Sequence, residues 1–271
     1  MKKGLLVVIG VIAISLGVFA TNQEIDFGVF AESSMTNFAN GQYTNNANPI
    51  GEYLGYKYIV DKKSYVQAQM SYSGYTSNVN YMYYDINKND KYSTNGDVGN
   101  NRLQLSLLYG YDVHQELLMP VPTYIEVGIG YGNWTFNSPN DIYQYPSQIN
   151  FNWFYIPVGL AIVNKVHNTT YTLRGGALAE IGGQANYNSF NLLPKPASIP
   201  SNSLALGTSI GYYLSLETAY QLNTQWVLKW NLYYMNTPLK VAGTIPGLEQ
   251  YSVGYFNNQS AGVMCALGYQ F

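Results

Sequence analysis

Charge is what this chain has least of. Only 10% of its 271 residues are Asp, Glu, Lys or Arg, against about 25% in ordinary soluble domains. A water-facing surface of the usual kind cannot be built from that. Cysteine is nearly absent: Cys265 stands alone, which excludes an internal disulfide and leaves it as a small apolar side chain. Histidine occurs only at His114 and His167. There is no basic block and the formal net charge is −2, so nucleic acid is not an expected partner. After residue 20 no apolar run reaches the length of a membrane-spanning helix, because Gly, Asn, Glu or Arg interrupts each one. Neither a metal site nor a cofactor site is expected.

What is present falls into two parts. Lys2 and Lys3 precede an apolar stretch from Gly4 to Gly17, and Val18-Phe19-Ala20 puts small residues where signal peptidase reads them. Residues 1–20 therefore read as a cleaved secretory signal and 21–271 as one domain. The remainder alternates. In Ala261–Phe271, Val263, Cys265, Leu267, Tyr269 and Phe271 share one face, while Gly262, Met264, Ala266, Gly268 and Gln270 share the other.

Nine further stretches carry the same period: Glu24–Ser33, Ile50–Val60, Ser64–Tyr75, Asn101–Val113, Thr123–Thr135, Asn152–Asn164, Tyr171–Gly183, Ser203–Tyr220 and Gln225–Met235. Each apolar stripe has about the 9–11 residues that a tilted transmembrane strand needs. The eighth stretch is read as one regular strand with Leu204, Leu206, Ile210 and Leu214 outward. Pro157, inside the sixth, predicts a local irregularity, since proline donates no ladder hydrogen bond. Short links alternate with long ones rich in Asn, Ser, Gly and Tyr, the longest being Met35–Pro49, Ser77–Gly99, Phe136–Phe151, Ala185–Asn202 and Asn236–Gln259. The fold class is all-β: a single antiparallel transmembrane barrel of ten strands, with eight as the alternative, short periplasmic turns and long extracellular loops. A sheet without edges is the only sheet a bilayer accepts.

Ile125 to Gly132 (IEVGIGYG), Phe154 to Leu160 (FYIPVGL) and the closing Leu267 to Phe271 (LGYQF) give the chain its resemblance to the small outer-membrane β-barrels of Gram-negative bacteria, the OmpA/OmpX-like group. The resemblance implies a bacterial outer-membrane location, lipid as a partner, and an assembly signal in Leu267, Tyr269 and Phe271 read by the barrel assembly machinery. Members of the group serve as adhesins, pores, anchors and enzymes, so function does not follow from the fold. The enzymes of this architecture depend on His with Asp or Ser near the outer rim. Here both histidines fall in short turns, and an enzyme is not expected.

Alternation sends ten charges inward: Asp26, Glu32, Lys57, Arg102, Asp112, Glu126, Arg174, Glu180, Glu217 and Lys229. Two readings stay open. The charges pair and fill a narrow barrel, or their acidic excess lines a water-filled path that favours cations. The many inward glycines leave room for the second. Outside the membrane, Tyr81, Tyr83, Tyr84 and Tyr92 in the Ser77–Gly99 loop form a candidate recognition surface for a host or envelope ligand, since tyrosine supplies rigid amphipathic contact area. Tyr75 and Trp134 are assigned to the aromatic girdle at the membrane surface. The functional expectation is a non-enzymatic surface protein acting through its loops; the alternative is a narrow, porin-like channel with weak cation preference.

Overall fold

The structure is a computed structural model that describes residues 22–38, 43–85, 90–138, 147–188, 190–191, 198–199, 202–242 and 255–271. Residues 1–20, on which the expected secretory signal falls, lie outside the described residues. Those described form fourteen strands and no helix: β1 (Gln23–Phe38), β2 (Tyr43–Ala47), β3 (Ile50–Ile59), β4 (Ser64–Asp85), β5 (Asp90–Asp112), β6 (Thr123–Ser138), β7 (Ser147–Val166), β8 (Thr169–Asn188), β9 (Phe190–Asn191), β10 (Ser198–Ile199), β11 (Asn202–Leu206), β12 (Ser209–Gln221), β13 (Trp226–Ala242) and β14 (Tyr255–Gln270). β2 with β3, and β11 with β12, each make one stave, and β9 and β10 form a separate two-stranded ribbon. The result is a closed antiparallel barrel of ten staves, sealed where β1 pairs with β14 from Glu24–Gln270 to Phe38–Phe256.

The register fixes the barrel's dimensions. One row of paired residues runs Gln23, Tyr58, Val66, Tyr109, Val127, Val158, Ala177, Tyr212, Asn236, Gln259 and returns to β1 at Met35, twelve residues above its start. Ten staves with that stagger tilt the strands by about 40° and give a backbone radius of about 10 Å. β4 and β5 hold 22 and 23 residues. That is roughly twice the length a strand needs to cross a bilayer, so the barrel stands well clear of the outer surface.

Strand alternation divides the side chains as the sequence pattern expects. Phe27, Leu107, Ile129, Phe154, Ile210 and Leu232 are exposed on the outside, whereas Glu126, Phe151, Ala161 and Phe256 are fully buried within the barrel. Polar groups mark both edges of the apolar belt. At the outer edge the Tyr72 hydroxyl donates to Asn101 Oδ1 (3.0 Å) and the Tyr131 hydroxyl to Asn152 Oδ1 (2.8 Å). At the turn end the Tyr56 hydroxyl donates to Gln23 Oε1 (3.0 Å), and Tyr269 packs edge-on against both Trp226 and Phe271, with ring centroids 4.9 Å apart in each pair. Amphipathic rings settle in this way at the headgroup level.

Three expectations need correction. Strands replace much of the expected loop sequence: β1 and β2 take up part of Met35–Pro49, and β4 and β5 run to Asp85 and from Asp90 within Ser77–Gly99. Pairing of two antiparallel strands needs no lipid, so alternating Tyr, Ser, Thr and Asn continue the sheet beyond the apolar stripe. Second, the stretch Ser203–Tyr220 is not one strand. β11 and β12 part at Gly207–Thr208, where one extra residue faces β13, and Leu204 and Leu206 turn inward. A one-residue slip flips every side chain above it. β8 takes its own extra residue at the same level, Ile181, opposite Phe154 and Tyr155 of β7. Gly182 and Gly183 follow this bulge with φ of 138° and 159°. Third, Trp134 and Tyr75 do not belong to the girdle; both lie on the inner wall. Beside Pro157 the β6–β7 register passes from Val127–Val158 to Gly130–Tyr155 with the intervening pairs missing, an interruption of the kind proline imposes.

Candidate functional site

The lumen holds the densest polar chemistry, and it is layered. Nearest the periplasmic turns, Lys229 Nζ on β13 reaches across β14 to Asp26 Oδ2 (2.8 Å) and to Glu24 Oε1, both on β1. Gln270 donates to the other Glu24 oxygen at 2.7 Å. Lys57 lies over the Tyr65 ring, 4.3 Å from its centroid. At mid-height Arg174 Nε donates to Glu126 Oε1 (3.1 Å) and Nη1 to Glu217 Oε2 (3.4 Å), and the Tyr65 hydroxyl also bonds Glu126. Higher still, Arg102 Nη1 donates to Glu32 Oε1 (2.6 Å), whose second oxygen accepts from the Tyr233 hydroxyl (2.9 Å).

Eight of the ten predicted lumen charges thus meet in one connected interior: Asp26, Glu32, Lys57, Arg102, Glu126, Arg174, Glu217 and Lys229. Glu180 also points inward but stands apart, accepting from the Ser209 hydroxyl, with Oε1 lacking a hydrogen-bond partner. Asp112 belongs to the turn end instead. Its carboxylate accepts from the backbone N–H groups of His114 (3.0 Å) and Thr123 (3.3 Å) and meets the His114 ring at 2.8 Å. Glu24 is the lumen acid that sequence reasoning missed; its even position on β1 carried the signal.

Above the ion pairs the lumen becomes apolar. Trp134 stacks on Phe151 (centroids 5.6 Å apart), Phe151 meets Phe256 edge-on (4.6 Å), and Phe136 meets Trp134 edge-on (6.1 Å). Val98, Trp153, Leu239, Leu204 and Leu206 complete a buried plug. A polar tie holds it in place: the Trp134 indole N–H donates to Asn100 Oδ1 at 3.0 Å, with Asn100 in turn donating to Ser77 (2.8 Å). Between the Glu126–Arg174 and Glu32–Arg102 pairs lies a cavity of about 220 Å³, bounded by those four side chains with Tyr155 and Tyr213.

The inward glycines do not leave open space. A methyl group built on Gly110, Gly130, Gly132, Gly159 or Gly262 would fall well inside 3.0 Å of Tyr65, Tyr155, Trp153, Tyr213 or Tyr233 respectively. Each glycine is the seat of an aromatic ring from another strand. The expectation that they widen the lumen is therefore wrong: the missing side chain is the space the ring needs.

Both histidines stand at the turn end, His114 between β5 and β6 and His167, with φ 54°, between β7 and β8. There too Lys63 pairs with Glu116 at 2.9 Å. That hydrogen bond holds the Glu116 carboxyl below its ordinary value and raises the Lys63 ammonium. Among the described residues no group of three His, Cys, Asp or Glu is placed to hold a metal. Of the candidate recognition residues, Tyr81, Tyr83 and Tyr84 lie on β4 and Tyr92 on β5, with Tyr83 opposite Tyr92 in the register. The correction is that they sit on a hairpin's strands rather than on a loop; their side chains lie outside what is described.

No family model matches the chain, and no curated protein matches it in sequence. Solved structures do. The outer membrane protease OmpT from Escherichia coli superposes with a TM-score of 0.66 at 9% identity, covering 92% of this chain and 97% of that one. The translocator domain of the autotransporter NalP from Neisseria meningitidis gives 0.50 at 11% identity, with 96% and 92% covered. The chain is an outer-membrane β-barrel. At such identities the likeness carries the fold and nothing of either protein's activity.

Proposed function

We propose that this barrel is a non-enzymatic surface protein whose outer hairpins bind a host or envelope ligand, while the lumen serves as a filled core. One observation carries the reading. The lumen is occupied at two levels by different chemistry, aromatic above and ionic below, while β4 and β5 continue far beyond the membrane belt. A hydrolase of the outer rim that relied on a histidine base would need one there, and both histidines are at the opposite end.

The test has two arms. The refolded protein in a planar bilayer should be silent; uniform, stable conductance steps would overturn the filled lumen. Cells displaying the protein should bind an epithelial monolayer and lose that binding when residues 78–97 are replaced by Asn-Gly. Unchanged retention would remove the hairpin from the function. The competing reading, a narrow cation path, draws support from the cavity between the ion-pair layers. It requires conductance whose cation preference falls in a Glu126→Gln, Glu180→Gln variant.

A further inference from the structure

The β5–β6 connection differs from the other described turns at its end of the barrel. The β3–β4, β7–β8 and β12–β13 links are short and mainly polar, Val60-Asp61-Lys62-Lys63, His167-Asn168 and Leu222-Asn223-Thr224-Gln225, each with at most one exposed apolar residue. The β5–β6 link instead carries Leu117, Leu118 and Met119 on a single helix-like turn, in which the Leu117 N–H donates to Val113 O (2.9 Å) and the Met119 N–H to His114 O (2.8 Å).

Leu117 is 56% exposed and Leu118 is 91% exposed. Leu118 also has φ 53°, in the left-handed region where glycine or asparagine sits at little cost and a leucine does not. The position thus bears two penalties at once, an exposed apolar side chain and a strained backbone. The turn is held in this form from both sides. The Asp112 carboxylate grips His114 and Thr123 across its base, and Glu116 is paired with Lys63.

The same Lys63 fixes where the turn lies. Its ammonium is 5.9 Å from the centroid of the Tyr111 ring, and Tyr111 belongs to the outward, lipid-facing row of β5. The two strands that the turn joins end in exposed apolar residues of that belt, Tyr109 and Tyr111 on one side and Ile125 on the other. The apolar turn is therefore continuous with the membrane-facing surface. It also has a lysine beside it, where the head groups of phospholipids are negative or zwitterionic.

We infer that the Leu117–Met119 turn is an interfacial anchor that seats in the phospholipid head-group and upper acyl region of the periplasmic leaflet, fixing the barrel's depth. Its partner is lipid rather than a soluble protein or a second copy. The strained Leu118 backbone is the cost of holding two leucines and a methionine out of the barrel and toward the bilayer.

The experiment uses the full mature chain in a Cys265→Ser background, with an environment-sensitive dye on Leu118→Cys or, as a second variant, Leu117→Cys, and on Asn168→Cys for comparison. Each is refolded into phosphatidylcholine–phosphatidylglycerol vesicles. At 118 and 117 the emission should shift to the blue, be quenched by lipids spin-labelled near the glycerol, and resist aqueous iodide. At 168 it should be red and open to iodide. A dye at 118 and 117 that matches 168 would overturn the anchor. So would a blue shift that disappears as the protein-to-lipid ratio falls, because that outcome assigns the surface to a second copy.

Discussion

The two halves of the lumen fill the same cylinder with opposite materials. Toward the periplasm the inner wall sends in Glu24, Asp26, Lys57, Glu126, Arg174, Glu217 and Lys229; toward the outside it sends in Trp134, Phe136, Phe151, Trp153, Leu239 and Phe256. An ionic filling holds only while every charge keeps its partner, because a stranded charge in a low-dielectric interior costs several kcal/mol. An aromatic filling carries no charge to strand and depends chiefly on shape. The lower half is thus a network of ion pairs, four acids around three bases, and the upper half a fitted stopper. What the difference teaches is that only the stopper can be thinned without stranding a charge.

Removing the stopper should have the largest effect. Trp134→Ala with Trp153→Ala should turn a silent barrel into a conducting one in a planar bilayer. Each truncation should also lower unfolding stability by about 3–5 kcal/mol, measured by urea titration in lipid. If the double variant stays silent, the ionic layer seals by itself and the contrast between halves dissolves. Next in size is Arg174→Met, which strands Glu126 and Glu217 and should cost about 3–5 kcal/mol. Adding Glu126→Gln and Glu217→Gln should recover most of that loss, whereas a structure dependent on Arg174 packing would not recover. The smallest change sharpens the boundary between the halves: Gly130→Ala displaces the Tyr155 ring and should cost about 1–3 kcal/mol without opening a path.

The barrel and its strand count were legible because alternation over ten stretches is a strong and redundant signal. The same signal reaches the inner charges, since Arg102, Glu126 and Lys229 each sit in step with a clear apolar stripe and Arg174 with a weaker one. It also contained the plug. Trp134 continues the inward series Glu126, Gly128, Gly130, Gly132, although its ring type is the one that populates the girdle. Leu204 and Leu206 were hidden for another reason: the face they share is set by a slip at Gly207–Thr208. Glycines within strands hint at such a slip but do not say which way it goes. The height of the outer hairpins was invisible too, because polar sequence that alternates above a membrane looks the same as loop. Which residue partners which charge depends on reach across a lumen about 20 Å wide, and no pattern along one strand records it.

The contact of Lys229 with Glu24 and Asp26 has a consequence in time. Lys229 and its two acids lie 205 and 203 residues apart in the chain, and their bonds straddle β14, which is made after both. The clasp cannot close until the chain from β1 to β14 has left the ribosome, crossed the periplasm and seated β14 between β13 and β1. Up to that moment the first strand holds two acids and the thirteenth a lysine, all awaiting partners at a site facing water. Completion of the barrel and neutralisation of its lower mouth are then one event, and a chain truncated before Lys229 has no means of reaching it.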